Sequence, residues 1–160
     1  MFTFDQTSMS QHDERFNLLV SDDKRALTLQ FSDLHASVGG SEGMAPVSTY
    51  VFSLVFPLQD DGKKKKVKIE FILQGFVLAP EGTTATLVCS VNGQTTVADF
   101  PGGSNESFVH KLKFAAERPS EARLCVFLLV GRNSSDNDAQ AQLSVSSLDA
   151  EILPRPKQPS

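Results

Sequence analysis

The stretch "YVFSLVFPLQDDGKKKKVKIEFIL", residues 50–73, sets two apolar segments of period two on either side of an Asp-Gly and four consecutive lysines. Side chains of an extended strand alternate between faces, so this period means that one face is buried and the other meets water. Tyr50, Phe52, Leu54 and Phe56 share a phase before the turn, and Val67, Ile69, Phe71 and Leu73 share one after it. Asp-Gly favours a two-residue type I′ turn, which needs positive φ at both central positions. With Asp61 and Gly62 in that role, Asp60 faces Lys63, and the pairs run Phe56–Val67, Leu54–Ile69, Phe52–Phe71 and Tyr50–Leu73. All four pairs are apolar, and a slip of one residue would set core positions against polar ones. The stretch predicts an antiparallel hairpin.

The same register divides the lysine run. Lys64, Lys66 and Lys68 alternate onto the outer face with Glu70 following, while Lys63 and Lys65 point the other way. A charge run is ordinarily a solvated face, and lysines guard strand ends against edge pairing. If the run contacts a partner, Lys64, Lys66 and Lys68 are the candidate residues.

Working outward, the alternation recurs along nearly the whole chain. Strand candidates run roughly 15–20, 26–38, 47–58, 66–78, 84–91, 94–100, 107–115, 122–131 and 139–153. Segments such as "SDDK", "APEG", "PGGSNE" and "ERPSE" separate them as turns. Asn92-Gly93 is a second hairpin signal, setting Val91 opposite Gln94, Cys89 opposite Thr96 and Leu87 opposite Ala98. The phase slips at Gly75, near Asp33 and near Ser147, where bulges would bend the strands. "RLCVFLLV" (123–130) is apolar in both phases, which places it centrally in a sheet. About nine short strands at this spacing predict an all-β fold, an antiparallel β-sandwich of jelly-roll-like form. Residues 1–153 read as a single domain and 154–160 as a flexible proline-rich tail. The closing segment "LSVSSLDAEIL" (143–153) resembles the last strand of carbohydrate-binding jelly rolls, a likeness confined to that strand.

Composition bounds the function. A chain of 160 residues, 40% hydrophobic and 21% charged, can bury a core. Its net charge of −4 lacks the field of a nucleic-acid binder. No apolar run approaches the roughly 20 residues of a membrane span. The first residues show no charged segment leading into an apolar one, which predicts a cytoplasmic protein. Cys89 and Cys125 lie in apolar runs as small hydrophobes, and spacing alone does not say whether they are bridged.

Candidate chemistry is sparse. His12, His35 and His110 lie in three separate segments, and His110 is in phase with Phe108, Leu112 and Phe114 on an apolar face. There is no Gly-x-Ser-x-Gly elbow, no zinc-spaced cysteine pair and no helix to follow the glycine-rich loops. The sequence therefore predicts no enzyme, no catalytic residue and no cofactor. Asn133, Asp136, Asn137 and Asp138 have oxygens suited to calcium, but such residues are also the vocabulary of turns. The leading expectation is a non-catalytic interaction or assembly module that binds another protein or itself. The alternatives are a jelly roll for carbohydrate or another polar ligand, sited in loops 39–46, 100–106 and 131–138, and an enzyme on the same scaffold. With no Trp and one Tyr, the chain lacks the flat ring platforms that sugars favour.

Overall fold

The computed structural model describes residues 1–5, 16–39, 46–132 and 139–154. Among them the chain forms eleven strands and no helix. They are β1 (Phe2–Phe4), β2 (Phe16–Val20), β3 (Ala26–Phe31), β4 (His35–Val38), β5 (Val47–Asp60), β6 (Lys66–Ala79), β7 (Thr83–Val91), β8 (Gln94–Phe100), β9 (Ser104–Glu117), β10 (Glu121–Arg132) and β11 (Ala141–Leu153). The count exceeds the expected nine because β1 is too short to show a period and because residues 26–38 break near Asp33. The expected slip there is real: Leu27 and Leu29 are buried before it, Leu34, Ala36 and Val38 after it.

Two antiparallel sheets face each other across one core, giving the expected β-sandwich. The five-stranded sheet runs β1-β5-β10-β7-β8; the six-stranded sheet runs β2-β3-β11-β6-β9, with β4 also on β11. As expected for its doubly apolar sequence, β10 is the middle strand of the first sheet. The core is continuous, with Phe56, Leu87, Leu124 and Leu128 from one sheet against Ile69, Phe71, Phe114 and Leu148 from the other.

The hairpin predicted at Asp61-Gly62 does not form. β5 pairs with β1 and β10, and β6 with β11 and β9, so the two strands lie in different sheets. The connection is an arch. Only Gly62 takes positive φ (80°), whereas a type I′ turn requires it at Asp61 too. The Asp60 carboxylate accepts from Gly62 N–H at 2.8 Å, and Asp61 from Lys63 N–H at 3.0 Å, which bends the chain between layers. The N-terminal amine of Met1 pairs with Asp61, and Asp61 N–H donates to the Met1 carbonyl. The inward phases were read correctly but meet differently. Phe56 packs on Phe71 across the core at 5.6 Å between ring centroids, rather than beside Val67.

At Asn92-Gly93 the expected hairpin forms. Asn92 (φ 47°) and Gly93 (φ 87°) are both left-handed, and β7 pairs with β8 as Val91–Gln94, Cys89–Thr96 and Leu87–Ala98. The bulge expected at Gly75 belongs to the partner strand. β6 keeps its phase through Val77 and Ala79, and the register shift falls between Val145 and Ser147 of β11. Gly75 stays in phase because it must lack a side chain. A Cβ there would overlap the Ser144 carbonyl oxygen and stand 2.7 Å from Phe108 Cζ.

Candidate functional site

Strand alternation leaves half of each strand outside the core, and the register gathers those side chains into rows. On the five-stranded sheet, Val51, Phe127, Val88 and Val97 stand opposite one another across β5, β10, β7 and β8. Val51 is 51% exposed and Val97 55%. The adjacent row is Ser53, Cys125, Ser90 and Thr95, and the next brings Val55 beside Arg123. A shallow groove of about 300 Å³ opens over the second and third of these rows, lined by Ser53, Val55, Ser90, Asn92, Arg123 and Cys125.

The rim of this groove is fixed by hydrogen bonds. Asn92 at the turn accepts from the Arg123 backbone N–H at 2.7 Å through Oδ1 and donates from Nδ2 to the Glu121 carbonyl at 3.1 Å. Arg123 Nε donates to Glu121 Oε1 at 2.7 Å, which orients the guanidinium along the strand. Exposed on a sheet, that ion pair contributes little stability, so its effect is positional. The result is hydroxyls and one guanidinium beside an aliphatic row. A pyranose has the matching duality, with hydroxyls on its edge and C–H bonds on its faces.

The outer face of the six-stranded sheet is different. Asp149 stands between Thr28 and Ile72, Glu70 between Glu151 and Lys113, and Lys68 between Leu153 and Ala115. Thr28 Oγ1 donates to Asp149 Oδ1 at 2.6 Å. Lys66 and Lys68 lie outward at the start of β6, and with Lys64 of the arch they line a second groove with Leu153 and Pro154.

The histidines do not converge. His110 faces inward at the seam between the sheets, with Nε2 2.8 Å from Thr96 Oγ1, and burial pulls its pKa below the ordinary value. Gln94 Nε2 donates to the Ala115 carbonyl, and Phe100 packs on Phe108 at 5.2 Å, closing the same seam. His35 pairs with the exposed Asp33 two residues away. His12 lies outside the described residues. So do residues 40–45 and 133–138, and with them the calcium reading of Asn133, Asp136, Asn137 and Asp138. Among the described residues no three His, Cys, Asp or Glu side chains gather as metal ligands. No helix there is long and apolar enough to cross a membrane. The loop 100–106 uses its polar groups internally: Gly103 N–H donates to the Ala79 carbonyl, and Ser104 closes on Pro101. Cys89 and Cys125 are free. They occupy opposite faces of neighbouring strands, Cys89 in the core with its thiol pushed up to about 12 by burial, Cys125 in the groove.

Sequence reasoning missed the groove on the five-stranded sheet. Its residues come from 53–55, 90–93 and 123–125, each merely the outward phase of its segment. Only the strand order β5-β10-β7 makes them neighbours.

Solved structures of similar fold include several carbohydrate-binding modules. TmCBM61, in complex with β-1,4-galactotriose, matches with TM-score 0.38 at 10% identity, covering 97% of this chain and 88% of that one. The CBM36-1 domain of a multidomain xylanase from the hindgut metagenome of Trinervitermes trinervoides matches with TM-score 0.34 at 11% identity, covering 98% of both chains. CBM35 from Cellvibrio japonicus Abf62 matches with TM-score 0.35 at 10% identity, covering 78% of this chain and 91% of that one. No protein-family model matches the sequence, and no curated protein is similar to it in sequence. At this level the likeness is one of fold, a β-sandwich. The expectation of a protein-interaction or assembly module is corrected by these neighbours, which are carbohydrate-binding modules.

Proposed function

We propose that the protein is a non-catalytic saccharide-binding β-sandwich that holds a neutral sugar segment on the outer face of its five-stranded sheet. The observation that supports this is the groove itself. Ser53 and Ser90 line it in the row next to Val51, Phe127, Val88 and Val97, of which Val51 and Val97 are exposed, and Arg123 stands one row further along. Binding sites for small polar ligands combine an apolar lining with a few placed polar groups. Arg123 is held in place before a ligand arrives, so less ordering entropy is lost on binding. Loops 39–46 and 131–138 fall largely outside the described residues, and the proposed siting is the sheet face of the described part.

Calorimetric titration with β-1,4-galactotriose and with short xylo-oligosaccharides tests the reading. At least one sugar is expected to bind saturably. Arg123→Ala removes a charged hydrogen-bond donor, an interaction of about 1.5–3 kcal/mol, and is expected to weaken binding by about tenfold or more. Ser90→Phe fills the groove and is expected to abolish binding. Both variants should melt within about 0.5 kcal/mol of the parent, as surface changes do. Absence of binding across the panel, or full binding by Ser90→Phe, overturns the proposal.

A further inference from the structure

We infer that the second groove, beside Lys64, Lys66 and Lys68, is a separate site for an acidic oligosaccharide carrying carboxylate or sulfate groups in sequence. It lies on the opposite sheet and goes beyond the neutral-sugar reading. Its volume is about 470 Å³, and the three lysines share it with Leu153 and Pro154.

Several observations carry the inference. Lys66 and Lys68, two apart on β6, stand roughly 6.6 Å apart on one face, and Lys64 of the arch lines the same groove. Cations spaced along a groove fit an anion repeated along a chain better than a single phosphate. Among the described residues none of the three lysines is in an ion pair, and across the strand pairs only Lys66 stands opposite an acid, Glu117. Their charge is thus available to a ligand.

The groove wall is also built rather than incidental. Arg25, 8% exposed, donates from its guanidinium to the Ile152 carbonyl at 3.4 Å and the Pro154 carbonyl at 3.2 Å. Ile152 N–H returns a bond to the Arg25 carbonyl at 2.8 Å. These bonds hold Leu153 and Pro154 as a fixed apolar surface, opposite Lys68 in the sheet register. They also set a buried cation behind that surface, adding to the field at the groove. A sugar ring packs its C–H face on such a wall while its charged substituents reach the lysines.

A nucleic acid has a similar charge spacing but binds by stacking bases on aromatic rings, and among the described residues no aromatic side chain lines this groove. The protein as a whole is acidic, with a net charge of −4, so attraction of anions is local to this end.

Titration of the full chain with hexagalacturonate at low and at physiological salt provides the test. The methyl-esterified hexamer, inorganic phosphate and a hexathymidylate oligonucleotide serve as comparison ligands. Saturable hexagalacturonate binding that weakens with salt is expected, with none to the ester. Lys64→Glu/Lys66→Glu/Lys68→Glu should weaken it at least about tenfold. Lys63→Glu/Lys65→Glu, on the other phase of the same run, should change it less than about twofold. A thermal melt of each variant near that of the parent certifies folding, and a Lys→Gln triple variant serves if charge reversal disturbs it. Absence of saturable binding overturns the inference, as does equal loss in the Lys63/Lys65 variant. Equal or tighter binding of phosphate or hexathymidylate also overturns it. Arg123→Ala should leave this binding intact, so the two sites fail independently.

Discussion

The two outer faces of the sandwich are made by one rule and differ chiefly in charge. Every strand alternates, yet the five-stranded sheet shows solvent an uncharged row of Val51, Phe127, Val88 and Val97 flanked by serines, while the six-stranded sheet sets lysines and acids among exposed Leu19, Phe76 and Val109. Phe127 and Val88, between Val51 and Val97 in the row, are half-buried. The inward positions answer to the common core and had to be apolar on both sheets. The outward positions are not bound to the common core, so they are free to differ between the sheets.

If the faces are independent, damage to the core must reach both, and damage to one sheet must reach its own face first. Phe71→Ala should have the largest effect. The ring is fully buried against Phe56, and its loss is expected to cost about 3–5 kcal/mol in chemical denaturation. Both grooves should then lose their ligands together as the folded fraction falls. Retention of one groove's binding in an unfolded sample would break the comparison.

Gly75→Ala should come next. The added methyl meets the Ser144 carbonyl and Phe108, with an expected cost of about 1–3 kcal/mol. Because it strikes the β6–β11 pairing, hydrogen exchange should speed up in the six-stranded sheet more than in β5, β7 and β10. Equal acceleration in both sheets would count against separate faces.

The smallest effect is expected at the seam that joins them. Burial holds the His110 pKa below the ordinary 6.5, so the unfolded chain takes up a proton more readily than the folded one. Stability is therefore full above about pH 6.5 and declines as pH falls below it. Thermal melts from pH 7.5 to pH 5 should show this decline, and His110→Gln should flatten it. An unchanged slope in the variant would remove His110 from the account.

How much of this could be read from the chain is shown by its two turns. Asn92-Gly93 and Asp61-Gly62 carry near-equivalent hairpin signals with alternating strands on each side. One gives a hairpin and the other an arch. In a sandwich, strands paired within a sheet and strands facing across the core show the same inward phase, so the pattern fits both. The discriminating facts are the φ of Asp61 and the longer, lysine-filled connection to β6, neither of which alternation reports. At Gly75 two apolar sets competed, Phe76 with Leu78 and Val77 with Ala79. A neighbouring strand's bulge decided for the second, leaving Phe76 41% exposed. The outward phase of Lys66 and Lys68 was legible. The Ser53–Ser90–Arg123 groove was not, because it depends on partners that are distant in sequence.

The arch also has a kinetic consequence. β5 and β6 cannot zip together as they would in a hairpin, and the strands that complete their sheets are β10 and β11, both beyond residue 120. The middle strands of both sheets are thus made after the other described strands. Before they arrive, β7–β8 and β6–β9 can pair, but each presents an apolar face with nothing to cover it. Closure must wait for contacts of long sequence separation, the regime in which β-sandwiches fold in milliseconds to seconds. During synthesis the exposed intermediate is the state at risk of aggregation. The lysine-rich arch stands at the head of β6 through that interval, where its like charges oppose pairing between unfinished sheets.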